Sequence, residues 1–149
     1  MRTLVALFFV GFSLVAQADI RADQHEALCK AAVMEAALAP LVEQLVIDNK
    51  MKFGDASLML SVNCNGQSLL SLMVNKMLPE NLEYAVIDMG LDVDSPVVLH
   101  QGKHLSVSDY LRQVIAEGQS DKVAFASEYL KDFHDPAFNP NLILRLSAR

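Results

Sequence analysis

The fold depends on one stretch, Leu28–Met73, which begins Leu28-Cys29-Lys30-Ala31-Ala32 and later contains Val62-Asn63-Cys64-Asn65-Gly66-Gln67. It holds both cysteines of the chain, one in an apolar helical pattern and the other in a turn-like run. The Asn65-Gly66 pair supplies the positive φ angles that tight turns demand. The sequence therefore predicts a structural turn at these two residues, directly after the second cysteine.

The two cysteines are most simply interpreted as one disulfide, provided that the chain is exported. Oxidising compartments form and keep such bonds, whereas the cytosol keeps thiols reduced. In the chain-entropy account, a bond between Cys29 and Cys64 stabilises the fold by about 3–4 kcal/mol. That is a large share of the roughly 5–15 kcal/mol that stabilises a domain. Free thiols and intermolecular bonds are further alternatives.

A metal site is the chemical alternative for the same cysteines. His25 precedes Cys29 by one helical turn, so an imidazole and a thiolate would share one helix face. The alternative ligand set is His25, Cys29, Cys64 and His104, with His100 as a further candidate. The segment from His100 to His104 has the composition of a turn, so these two histidines share no helical face. No Cys-x-x-Cys pair occurs, so the thioredoxin-type motif is absent. We predict a disulfide and no cofactor.

The amino terminus has the pattern of a secretory signal peptide. Arg2 is followed by the uncharged run Leu4–Ala16 and then by Ala16-Gln17-Ala18, a small-x-small cleavage pattern. The apolar run is shorter than the roughly 20 residues that a membrane-spanning helix needs. We therefore expect a signal peptide at 1–18 and a single exported domain at 19–149, periplasmic or secreted, with no membrane span after cleavage.

The charge of the chain disfavours one class of partner. Lys and Arg number 12 against 18 Asp and Glu, which gives a net charge of −6. Loss of Arg2 with the signal peptide makes the domain more acidic still. Affinity for a phosphate backbone comes largely from Lys and Arg, which form no cluster here. We expect no nucleic-acid partner and instead a protein of the cell envelope.

Helical patterns dominate the chain up to Gly90. Asp23 and Glu26 are spaced as in a capping box, and the first helix is predicted to end at Ala39, before Pro40. A second helix is expected from Leu41 to about Asn49, and one unbroken but kinked helix is the alternative. Further helices are predicted from a cap at Asp55 through Leu60, over Gln67–Met77, and from Pro79 to about Met89 with Gly90 as the stop signal.

The pattern changes after Leu91. The runs Val97–His100 and His104–Val107 bracket Gln101-Gly102-Lys103, which is typical of a short β-hairpin. Two more helices are expected, capped by Ser108-Asp109 and by Ser120-Asp121.

The carboxyl-terminal tail contains Leu142–Leu146, which we expect to form either a terminal strand or a docking segment. The complete prediction is a mainly α domain of about five or six helices with one short β-hairpin and one disulfide. Residues 91–149 supply the hairpin and the carboxyl-terminal helices.

The two cysteine motifs resemble those of a known family. The runs Leu28-Cys29-Lys30-Ala31-Ala32 and Cys64-Asn65-Gly66-Gln67-Ser68-Leu69-Leu70 look like a domain-of-unknown-function family of small exported bacterial proteins. Those proteins carry a Cys-x-Ala-Ala helix and a Cys-Asn-Gly turn. The resemblance covers residues 26–77 and implies a cysteine pair in an exported helical domain. It supplies no activity.

Catalytic motifs are absent from the sequence, including the Gly-x-Ser-x-Gly elbow, the His-Glu-x-x-His zinc motif and the glycine-rich phosphate loop. Asp88, Asp92, Asp94 and His100 include an Asp-x-Asp pair but lack the remaining ligands of a calcium loop, so a solvated loop is expected. His134 follows a helix, where a histidine commonly interacts with the carbonyls of the last turn.

The methionines offer one further possibility. Met73 and Met77 share a helical face, so an adaptable apolar groove is the alternative to simple core packing. We expect a non-enzymatic protein-interaction or binding module. The alternatives are a binder of small apolar ligands with a groove lined by Met and Leu, and a metal-binding protein that uses His and Cys.

Overall fold

A computed structural model describes residues 22–52 and 56–147. The predicted signal peptide and the predicted cap at Asp55 lie outside these residues. The described part is mainly helical, and it contains a disulfide and two short antiparallel strand pairs. The predicted fold class is therefore confirmed, with a second hairpin added. The helices are α1 (Ala22–Ala31), α2 (Leu38–Ile47), α3 (Ala56–Met59), α4 (Leu69–Lys76), α5 (Pro79–Glu83), α6 (Val107–Glu117), α7 (Ser120–Asp132) and α8 (Asn141–Ser147), and the strands are β1 (Asn63–Cys64), β2 (Gln67–Ser68), β3 (Val98–His100) and β4 (Lys103–Leu105).

The disulfide joins Cys29 in α1 to Cys64 at the end of β1, across a sequence separation of 35 residues. Asn65 and Gly66 follow with φ of 55° and 86°. The Gly66 N–H donates to Asn63 Oδ1 at 2.6 Å. These residues form the two-residue loop of the β1–β2 hairpin, which matches the Asn-Gly preference of tight hairpins. The hairpin places the second cysteine against the first helix.

The predicted break between the first two helices is present, but it lies at 32–37 and not at Ala39. α1 ends at Ala31, earlier than expected, and α2 begins at Leu38 with Pro40 in its first turn. Proline is tolerated there because the first amides of a helix have no partner within the helix. The connection between the two helices includes Ala36 with a positive φ of 56°.

A buried asparagine of α5, which is distant in sequence, contacts this connection and stabilises it. Asn81 Nδ2 donates to the carbonyl oxygens of Ala31 at 3.0 Å and Met34 at 2.7 Å. Its Oδ1 accepts from the Leu38 amide at 3.1 Å. One side chain therefore satisfies the last carbonyl of α1 and the first amide of α2.

A continuous apolar core lies between the helices. α6 and α7 pack against each other, and the β3–β4 hairpin contacts α4 and α6. The predicted Pro79–Met89 helix is α5 followed by a π-helical turn, Tyr84–Asp88. The largest fully buried side chains include Tyr110, Phe133, Leu28, Leu38, Met59, Leu69, Leu70, Met73, Leu82 and Leu111.

The predicted hairpin is present as β3 and β4, but the caps of the next two helices differ from the prediction. Ser106 caps α6, because its Oγ accepts from the Asp109 amide at 3.0 Å. Ser108 lies inside the helix. α7 begins at Ser120 after Gln119, and no side chain caps it.

The carboxyl-terminal segment forms the helix α8, so of the two predicted alternatives the terminal strand is wrong. Asn139 is fully buried, and its Nδ2 donates to the Phe133 carbonyl at 3.0 Å. Its Oδ1 accepts from the Asn141 amide at 3.2 Å, which starts α8. A buried turn therefore sets the direction of the helix.

Candidate functional site

The cysteines are joined to each other in the described structure. Cys29 is half-buried, Cys64 is buried, and His25 Nδ1 lies 3.9 Å from Cys29 Sγ. His104 is exposed on β4. Disulfide sulfurs carry no thiolate, so the alternative site of His25, Cys29, Cys64 and His104 would require the reduced protein. Over 22–52 and 56–147, no group of three or more His, Cys, Asp or Glu side chains is arranged to hold a metal ion.

The Asp-x-Asp pair belongs to a turn after the π-helical segment. Asp92 Oδ1 accepts from the Asp94 amide at 3.1 Å and from Arg145 Nη1 at 2.6 Å. Asp94 Oδ1 accepts from the Ser108 hydroxyl at 3.1 Å. The two carboxylates therefore contact different partners and do not converge on one point.

His100, which the sequence groups with these aspartates, lies in a different environment. Its ring packs on Tyr110, with 5.1 Å between the ring centroids. Its Nε2 lies 4.0 Å from Glu117 Oε1. Burial raises the pKa of Tyr110 to about 12, so the phenol stays protonated at neutral pH.

A serine, a histidine and an aspartate meet where α6 begins. Ser108 Oγ lies 3.1 Å from Asp94 Oδ1 and 3.3 Å from His134 Nε2. His134 Nδ1 lies 2.7 Å from the Leu130 carbonyl oxygen, so Nδ1 carries a proton and donates it. In a hydrolytic triad the carboxylate contacts the histidine Nδ1, whereas here a backbone carbonyl holds that nitrogen and the carboxylate contacts the serine.

The surroundings of Ser108 also differ from those of a nucleophile. The residue is 1% exposed, and its amide donates to the Val93 carbonyl at 3.1 Å. The next amide, of Asp109, donates to Ser106 Oγ. These amides are therefore occupied and not directed at a developing oxyanion. The arrangement fastens α6 to the turn before it and to the end of α7.

A second polar contact joins α5 to α7. The Tyr129 hydroxyl donates to Glu83 Oε1 at 2.6 Å. Burial raises the pKa of Tyr129, and the hydrogen bond and negative charge of Glu83 raise it further. The Tyr129 ring also packs between Phe125 and Phe133.

The methionines divide between the core and the surface. Met59 and Met73 are fully buried, whereas Met34 is 59% and Met77 is 38% exposed. Met73 and Met77 therefore do not line one groove together. Among the side chains whose burial the structure describes, Val33, Ile47, Leu58, Ile143 and Leu144 are also large, apolar and exposed.

The helix α8 contacts the domain through polar side chains. Asn141 Nδ2 donates to the carbonyl oxygens of Val86 at 3.3 Å and Ile87 at 3.0 Å. One turn later, Arg145 Nη2 donates to the Gly90 carbonyl at 3.4 Å, beside its bond to Asp92. Asn141 and Arg145 therefore face the domain.

Two apolar residues of α8, Ile143 and Leu144, face solvent. Ile143 is 56% exposed and Leu144 is 67% exposed. Helices at the surface of a globular protein usually bury their apolar stripe and expose their polar one. We call Ile143 and Leu144 the α8 surface. The sequence predicts Leu142–Leu146 as a terminal strand or a docking segment, but it does not predict which of these side chains are exposed.

Comparisons with protein-family models, with curated proteins and with solved structures find no significant match. In the part of the chain that the structure describes, no helix has the length and apolar character needed to cross a membrane. The disulfide is typical of proteins that fold in an oxidising compartment.

Proposed function

We propose that this chain is an exported, non-enzymatic protein-interaction module of the cell envelope. The observation that carries the proposal is that α8 exposes Ile143 and Leu144, while its Asn141 and Arg145 side chains bind the domain. Exposed aliphatic pairs on a helix are a common way for one protein to dock on another. The polar contacts position the helix and leave Ile143 and Leu144 exposed.

The remaining features agree with this proposal. The Ser108, His134 and Asp94 side chains bind one another and the backbone, an arrangement suited to joining elements. The disulfide stabilises the domain in an oxidising compartment, which agrees with export through the predicted signal peptide. The motif resemblance around Cys29 and Cys64 leads us to propose membership of the exported bacterial family described above.

Native size is the direct test of this function. Envelope extract prepared under non-denaturing conditions is separated by size exclusion, and the chain is followed with a specific antibody. We expect it to elute with a defined second protein, at a size well above that of the purified domain. Elution of the endogenous chain at the size of the purified domain would contradict the proposal. Recombinant purified domain, run alone and after mixing with the extract, is the control.

A further inference from the structure

The two cysteines of the disulfide differ in their access to solvent. Cys64 is 8% exposed and belongs to the apolar core, whereas Cys29 is half-buried and packs against that core. In thiol–disulfide exchange a thiolate must reach the sulfur that it attacks, so the course of the reaction depends on which sulfur is accessible. The more accessible half of this bond is Cys29.

An imidazole lies beside the more accessible sulfur. His25 precedes Cys29 by one turn of α1, and its Nδ1 lies 3.9 Å from Cys29 Sγ. A disulfide sulfur carries no hydrogen, so a hydrogen bond between these atoms is donated by the imidazole. Both residues belong to α1, so one helical turn sets their spacing. His25 therefore supplies a hydrogen-bond donor directly at Cys29.

We propose that Cys29 is a redox-exchange site, at which thiol reductants break the Cys29–Cys64 bond and disulfide oxidants form it, with His25 as its positioning residue. The site uses other residues than the α8 surface and does not depend on the docking proposed there. Exchange through Cys29 gives the chain a defined point of contact with the redox couples of an oxidising compartment.

The exchange passes through a mixed disulfide at Cys29. During reduction, a thiolate attacks Cys29 Sγ and forms a new S–S bond, while the Cys29–Cys64 bond breaks and leaves its electron pair on Cys64 Sγ, which takes a proton from water. A second thiolate then attacks the reductant sulfur and releases Cys29 as a thiolate. Two reductant thiols are thereby oxidised to one disulfide, and the protein disulfide is reduced to two thiols.

Oxidation follows the same path in reverse. The Cys29 thiolate attacks a disulfide oxidant and expels one of its sulfurs as a thiolate. The Cys64 thiolate then attacks Cys29 Sγ and expels the second oxidant sulfur. His25 acts on Cys29 in both directions, because a donated hydrogen bond favours attack on that sulfur during reduction and stabilises its thiolate during oxidation.

Trapping of the mixed disulfide tests the site. The probe is reduced glutathione, added to the purified, folded, disulfide-bonded protein. Short reactions are quenched with acid, free thiols are alkylated, and peptide mass mapping assigns the glutathione to Cys29 or to Cys64. We expect glutathione on Cys29 in at least about tenfold excess over Cys64. The protein unfolded in urea is the control, and there the excess should largely disappear because both sulfurs are accessible.

Variants of His25 test the role of the imidazole. His25→Ala is expected to slow formation of the mixed disulfide by about twofold to threefold. His25→Asn keeps an N–H donor near the position of Nδ1 and is expected to restore most of the rate. A merely structural role would give the opposite sign, because a loosened fold exposes the disulfide and speeds its reduction. His104→Ala, at an exposed position on β4, is the matched control and should react at the rate of wild type.

Three results would overturn the inference. The first is glutathione on Cys64 in an equal or greater amount, which would show that access does not direct the exchange. The second is an unchanged or faster reaction of His25→Ala, which would remove the role of the imidazole. The third is a folded protein whose disulfide stays intact under conditions in which glutathione reduces the urea-unfolded protein.

Discussion

At the scale of single residues, the fold depends on a few buried polar side chains that bind distant backbone groups. Asn81 is 1% exposed and joins the end of α1 to the start of α2 through three hydrogen bonds. Asn139 performs a similar task before α8. Both side chains bind backbone groups at helix ends, in addition to the local backbone hydrogen bonds of those segments.

Replacing Asn81 with alanine should therefore destabilise the protein strongly. The substitution leaves the Leu38 amide and the carbonyls of Ala31 and Met34 without this partner, at an expected cost of about 2–4 kcal/mol. Urea unfolding measures the change in the free energy of unfolding. Asn75→Ala is the control, because Asn75 makes a longer bond of 3.3 Å to Gln67 at a half-buried position and should cost less. Equal losses from the two variants would contradict the role assigned to Asn81.

Tyr129 should make stability depend on alkaline pH. Burial and Glu83 raise the pKa of Tyr129 above its ordinary value of 10.0 in the folded state, so the folded protein holds this proton more tightly than the unfolded chain. The stabilisation is fully present below pH 10.0 and is lost as the pH rises through and beyond that value.

Urea unfolding at about pH 8 and about pH 11 tests this effect. Tyr129→Phe should be less stable than wild type at the lower pH by about 1–2 kcal/mol, because the bond to Glu83 is lost. The difference between the two proteins should narrow at the higher pH. Tyr110, whose pKa is raised to about 12, acts in the same direction in both proteins and so does not affect the comparison. A difference that widens with pH would contradict the account.

At the scale of elements, the parts that local chemistry determines were predictable from the sequence. The β3–β4 hairpin follows from the runs Val97–His100 and His104–Val107, which bracket Gln101-Gly102-Lys103. The turn at Asn65-Gly66 follows from the conformational freedom of these residues. The disulfide could be predicted because two cysteines follow a stretch with the pattern of a signal peptide. The sequence did not predict that the β1–β2 hairpin brings Cys64 to α1.

The elements that tertiary contacts determine were not predictable in the same way. The break between α1 and α2 depends on Asn81, whose position about fifty residues later in the chain carries no local signal. Leu142-Ile143-Leu144 has the composition of a strand, but a buried turn at Asn139 and polar contacts to the π-helical turn make it a helix. The orientation of that helix, and with it the α8 surface, follows from those contacts.

The disulfide, which joins α1 to the β1–β2 hairpin, should account for a large part of the stability of the domain. Cys29→Ser with Cys64→Ser is expected to lower the free energy of unfolding by about 3–4 kcal/mol, as estimated for closure of a loop of this length. Urea unfolding of the variant, compared with oxidised wild type, measures this loss. Wild type unfolded in the presence of reductant is the control, since it keeps both side chains but lacks the bond. A loss below about 1 kcal/mol in both would show that the bond is dispensable.

At the scale of the whole molecule, the central claim is that an exported domain folds around the Cys29–Cys64 disulfide and presents α8 to a partner. The compartment and the covalent link come first, because the proposed interaction takes place only if the chain reaches an oxidising envelope and folds there. The net charge of −6 favours a protein over nucleic acid as the partner that we propose.

The most direct measurement is the intact mass of the chain purified from the cell envelope, taken with and without reductant and thiol alkylation. We predict a mature chain that begins at Asp19, lacks the pair of hydrogen atoms that a disulfide removes, and takes up alkylating reagent only after reduction. Two thiols that react without reductant, or a chain that retains residues 1–18, would contradict the claim.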